Sequence, residues 1–102
     1  MSDYVCARPV HPGEILKEEV EYREISQGKL AAQMGISNKT LNNILNERRP
    51  LTAQTAMLFE ETLGISANLL IDMQTDYNMR VAKHDKSFSN RLAEIRKAVA
   101  VL

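Results

Sequence analysis

The chain has 102 residues, 44% of them hydrophobic and 25% charged, a length at which one core can form and two would each be too small to hold. That composition excludes a disordered chain, no apolar run approaches the roughly 20 residues needed to cross a bilayer, and the single Cys6 rules out an internal disulfide. A net charge of zero excludes a protein that coats nucleic acid by charge alone.

The neutrality conceals segregation. Residues 1–26 carry a net −3, residues 27–50 a net +3, residues 51–76 a net −4 and residues 77–102 a net +4. A basic block that faces phosphate can draw in a polyanion locally while the acidic blocks limit indiscriminate binding. Met1 to Val10 lacks the basic then apolar pattern of a signal peptide, so the protein is expected in the cytoplasm.

Along the chain, Pro9 and Pro12 bracket an extended opening segment of residues 1–11, and Pro12 suits the first position of a helix that runs to about Arg23. Ser26 is placed to cap a second helix from Gln27 to Met34, which Gly35 ends by accepting a positive φ. Ser37 caps a third, Asn38 to about Asn46, with Leu41, Ile44 and Leu45 on one face and Pro50 forbidding continuation. Thr52 and Gly64 bound a fourth, Ala53 to Leu63, and Ser66 caps a fifth from Ala67 to about Ala82. In that fifth helix Leu69, Leu70, Met73, Tyr77 and Val81 form a stripe expected in the core. After a polar break at residues 84–87, Phe88, Leu92, Ile95, Val99 and Leu102 recur at helical spacing as a narrow apolar seam. This seam either docks on the chain's own core or joins two copies in a dimer. No strand-period alternation is present, so the fold class is all-α, with at most six helices.

The second and third helices satisfy the constraints of a helix-turn-helix, in which two short helices cross steeply through a tight turn. Ala31 stands where the helices meet most closely, Gly35 makes the turn, Leu41 anchors the second helix, and Leu30, Met34, Ile36 and Ile44 complete the apolar set. The opposite face of the third helix carries Lys39, Asn42, Asn43 and Asn46, with no carboxylate among them. Asn can donate and accept at once to adenine N6 and N7, and Lys can donate to guanine O6 or N7. These four, with Asn38 at the start of the helix, are the expected base-contacting residues, with adenine steps favoured. Gln27 and Lys29 at one helix start, Thr40 in the next, and Arg48 and Arg49 in the following loop are placed to hold the phosphate backbone.

These residues resemble the XRE-type, lambda-repressor-like helix-turn-helix proteins, and among them the HigA/VapI antitoxins. The resemblance spans about residues 8–83 and rests on HPGE at His11 to Glu14, LAAQMGISNKTLNNILNERRPLT from Leu30 to Thr52, LGIS at Leu63 to Ser66 and LLIDMQTDYNM from Leu69 to Met79. It implies a five-helix domain over residues 12–83, beyond which the spacing of the apolar seam makes residues 84–102 a C-terminal amphipathic helical tail. It also implies a homodimer that binds duplex operator DNA, represses its own operon and neutralises a HigB-type mRNA-cleaving toxin. The family often carries a Phe-Trp pair where this chain has Leu69 and Leu70, and the basic tail follows no family pattern.

The alternative within the same class is a solitary XRE-type transcriptional regulator without a toxin partner. A rival of another class is an interaction module whose Glu14, Glu18, Glu19, Glu21 and Glu24 hold a basic partner. An enzyme would have to be built from Cys6, His11, His84 and Asp85, whose spacing matches no zinc or nucleophile pattern. No catalysis, cofactor or metal is therefore expected, and His11 is read as a hydrogen-bonding residue where the first helix begins.

Overall fold

A computed structural model describes residues 9–102. The extended reading of residues 1–8, Cys6 included, lies outside them. The described residues form six helices and no strand: α1 (Pro12–Tyr22), α2 (Gln27–Met34), α3 (Asn38–Leu45), α4 (Ala53–Leu63), α5 (Ala67–His84) and α6 (Lys86–Val99).

Each helix begins where a side chain can take up a backbone donor that the helix leaves unpaired. Ser26, Ser37, Thr52, Ser66 and Asp85 each accept the N–H three residues on, and the His11 ring accepts that of Gly13. Helices α2 and α4 end on Gly35 and Gly64 at φ 73° and 74°. Helices α1 and α3 end the same way without glycine: Glu24 and Glu47 sit at φ 55° and 63°. The N–H groups after them, of Ile25 and Arg48, bond back to the carbonyls of Val20 and Asn43, which closes each helix by the usual six-to-one bond.

The core lies among α1 to α5. Phe59, Leu16, Leu41, Ile44 and Leu70 are fully enclosed, with Leu30, Ala31, Met34, Leu45, Leu51, Ala56 and Leu63 around them. At about 1.5–3 kcal/mol for each large apolar side chain buried, this cluster is what holds the five helices together.

Two expectations are corrected. The α5 stripe is only partly core: Leu70 is buried and Met73 and Tyr77 are half-buried, but Leu69 and Val81 are exposed, and the second buried residue of α5 is Gln74. The polar break shrinks to Asp85 alone. The His84 ring bonds to the Arg80 carbonyl in the last turn of α5, and Asp85 accepts the Phe88 N–H to open α6, so polar residues read as a loop finish one helix and start the next. Helix α6 follows α5 after a single residue, has no comparable contact with any other helix among the described residues and buries no side chain, leaving Phe88, Leu92, Ile95 and Val99 between 39% and 52% exposed, and Leu102 lies beyond the helix end. A molecule 57 Å long and 20 Å across its shortest axis results.

Candidate nucleic-acid interface

Helices α2 and α3 meet at Ala31, which is 2% exposed, and Gly35 turns the chain between them. Leu30, Met34, Leu41 and Ile44 are buried beneath the pair, and Ile36 is partly buried against them. Burial of Leu41, Ile44 and Leu45 fixes the rotation of α3, because the three lie within an arc of about 100° around the helix and so turn the other side outward. Asn38 and Lys39 are exposed, and Asn42, Asn43 and Asn46 are half-buried on the opposite side. Among the described residues no helix covers that side.

Hydrogen bonds tie this face to its surroundings. Gln27 Nε2 donates to Asn38 Oδ1 at 3.1 Å, linking the starts of α2 and α3. Thr40 receives bonds from Ser37 Oγ at 2.8 Å and from Arg49 at 3.4 Å. Lys29 is exposed, and its own N–H is taken up by Ser26. Arg48 lies back over α3 and bonds to the side chains of both Asn42 and Asn43. Asn46 ends α3: its Nδ2 donates to the Asn42 carbonyl at 2.9 Å and its Oδ1 accepts from Lys17 Nζ at 3.0 Å.

Lys17, on α1, was not legible as part of this surface, since its place there depends on how α1 crosses α3. That crossing is unusually close. A Cβ placed on Gly13 would stand 2.1 Å from the Ile44 carbonyl oxygen, so only glycine allows α1 to rest on the end of α3. The support continues from below. Leu51 N–H, in the loop after α3, donates to the buried Gln74 Oε1 at 2.8 Å, and Tyr77, one turn on, meets the His11 ring edge-on. The HPGE segment and the Gln74 to Tyr77 segment thus meet beneath the candidate interface.

Of the four residues from which an enzyme would have to be assembled, Cys6 lies outside the described residues and the other three have structural roles. His11 caps α1, His84 bonds to the Arg80 carbonyl and Asp85 caps α6. Among the described residues no three His, Cys, Asp or Glu side chains converge to hold a metal ion, and no helix is long and apolar enough to cross a membrane.

A helix-turn-helix family model matches residues 16–70. Virulence-associated protein I of Dichelobacter nodosus is 37% identical over 82 residues, which span 79% of this chain and 76% of its own length. An addiction module antidote protein of the HigA family from Coxiella burnetii superposes with a TM-score of 0.74 at 31% identity, over 85% of this chain and 94% of the other. A Pseudomonas aeruginosa protein solved in complex with its operator DNA superposes with a TM-score of 0.69 at 34% identity, over 74% of this chain and 82% of the other. The chain belongs to the XRE-type helix-turn-helix family and, within it, to the HigA/VapI antitoxin family.

Proposed function

We propose that this protein is a sequence-specific DNA-binding antitoxin of a HigBA-type system, which represses its own operon and neutralises an mRNA-cleaving toxin. Residues 12–83 are the DNA-binding domain and residues 84–102 a helical tail. The observation that carries the reading is the outward face of α3: a row of amides and one lysine, free of carboxylate and, among the described residues, uncovered by any helix. In the groove, Asn38, Lys39, Asn42, Asn43 and Asn46 face base edges, while Gln27, Lys29, Thr40, Arg48 and Arg49 stand at the margins where phosphates run. Support comes from the operator complex of the Pseudomonas aeruginosa relative and from the HigA antidote protein.

A two-fold dimer places two such helices about 34 Å apart on one face of a duplex. The exposed seam of Phe88, Leu92, Ile95 and Val99 is the surface we assign to that dimer. The test is a gel shift with the protein's own promoter at physiological salt, followed by co-expression with the product of the adjacent reading frame. Saturable binding that survives competitor DNA, together with rescue from a toxic neighbour, is the expected result. Binding without a toxic neighbour makes the protein a solitary regulator, and loss of both overturns the reading.

A further inference from the structure

The two central amides of α3 are not free to turn. Arg48 donates from Nη2 to Asn42 Oδ1 at 2.9 Å and from Nε to Asn43 Oδ1 at 3.2 Å. A guanidinium carries donors only, so it can meet an amide through its oxygen and in no other way. One planar group holding both oxygens therefore sets both amides alike, with oxygen toward Arg48 and the NH2 group left to face outward. Among the described residues neither Nδ2 has a protein partner.

Backbone geometry, rather than any ligand, puts Arg48 there. Glu47 at φ 63° reverses the chain, and the Arg48 N–H then closes on the Asn43 carbonyl at 2.8 Å. The side chain leaves that point directed back along α3, over the residues it holds.

We propose that Arg48 is a positioning residue that sets base preference, turning α3 into a surface of hydrogen-bond donors. The inference rests on the reading that α3 enters the major groove. Guanine presents two acceptors there, O6 and N7, whereas adenine pairs an acceptor with an N6 donor that needs an amide oxygen in return. With both oxygens turned toward Arg48 and both NH2 groups outward, and Lys39 able only to donate, the bases opposite Asn42 and Asn43 are guanines in place of the adenines that free amides would favour.

The experiment is a selection from a pool of randomised duplexes with the full-length protein, with Asn42→Ala/Asn43→Ala marking the positions these residues read. Arg48→Lys keeps the charge for phosphate, but a single ammonium does not reproduce the planar fork that bridges both oxygens. Wild-type protein is expected to enrich guanine at the marked positions, and replacing those guanines by 7-deazaguanine to weaken binding about tenfold. Arg48→Lys is expected to lose about tenfold of the guanine over adenine preference with its salt dependence intact, and Arg48→Met to lose the same preference together with some salt dependence. Adenine at those positions, or an Arg48→Lys protein with unchanged preference, overturns the inference while leaving DNA binding in place. A wild-type pool with no enriched sequence overturns the DNA-binding reading itself and this inference with it.

Discussion

The rings of His11 and Tyr77 meet edge to face, with centroids 4.9 Å apart and planes at 79°. This contact fastens the start of α1 to the middle of α5, two segments separated by most of the domain in sequence. Tyr77 is half-buried, and His11 is only 2% exposed.

His11 makes stability depend on pH. Its Nδ1 accepts the Gly13 N–H at 2.9 Å, which requires the ring nitrogen to be unprotonated. Burial pushes its pKa below the usual 6.5, an effect that the charge of Glu47 opposes in part. The unfolded chain therefore binds this proton more readily than the folded one, so the contribution is complete above pH 6.5 and is lost as pH falls through the lower folded value. Urea midpoints measured from pH 7.5 downward are expected to fall below pH 6.5. In His11→Asn, which can still cap a helix but does not titrate, that part of the fall is expected to vanish.

Gly13 and Gly28 are expected to respond oppositely to alanine. At Gly13 the new methyl meets the Ile44 carbonyl at 2.1 Å, and forcing α1 off α3 is expected to cost about 1–3 kcal/mol. At Gly28, in the first turn of α2, the nearest atom is Ser26 Oγ at 3.9 Å. Gly28→Ala is expected to stabilise by about 0.4–1 kcal/mol through the unfolded chain. Chemical denaturation of the two variants side by side checks both signs.

Gln74 holds the loop after α3 through the Leu51 N–H, and its Nε2 donates to Asn78 Oδ1 at 3.0 Å. Gln74→Leu fills similar volume but leaves the Leu51 donor buried and unpaired. A loss of about 1–3 kcal/mol is expected from that group alone, read as a lower denaturant midpoint with an unchanged slope.

Arg49 bonds to Thr40 at the edge of α3 and is exposed. Arg49→Ala is expected to weaken binding to all duplexes alike and to reduce the slope of log affinity against log salt by about one. Titrations at several salt concentrations on one selected and one scrambled duplex test this, and a change confined to the selected duplex would count against a backbone role.

Helix α6 contributes no buried residue to the single chain. Replacing Leu92 and Ile95 together by glutamate is therefore expected to leave the monomer's core intact and to abolish the dimer. Sedimentation equilibrium reports the association state, and thermal unfolding at low concentration reports the fold. A dimer that survives both substitutions moves the interface to another surface.

The helix-turn-helix was legible because its marks are local. Ser26, Gly35 and Ser37 act within one helical turn of themselves, and the spacing of Leu30, Ala31, Met34, Leu41 and Ile44 says which side goes inward before any partner is known. The carboxylate-free face of α3 followed from the same rotation. Less legible were helix ends without glycine: Glu24 and Glu47 take positive φ because the closing bonds at their termini outweigh a cost of about 1–2 kcal/mol, and nothing in a glutamate announces it.

Sequence by itself determined the helices, the turn and the polar character of the outward face of α3, since each depends on capping, glycine and periodicity within about ten residues. Only the tertiary structure decided which groups those residues meet: Lys17 on Asn46, Arg48 across Asn42 and Asn43, Gln74 beneath Leu51, Tyr77 against His11, and α6 standing clear of the core. The reason is reach. A cap or a helix face is set by neighbours along the chain, whereas the direction in which an amide points, or whether an apolar seam finds a surface, depends on where helices distant in sequence come to cross.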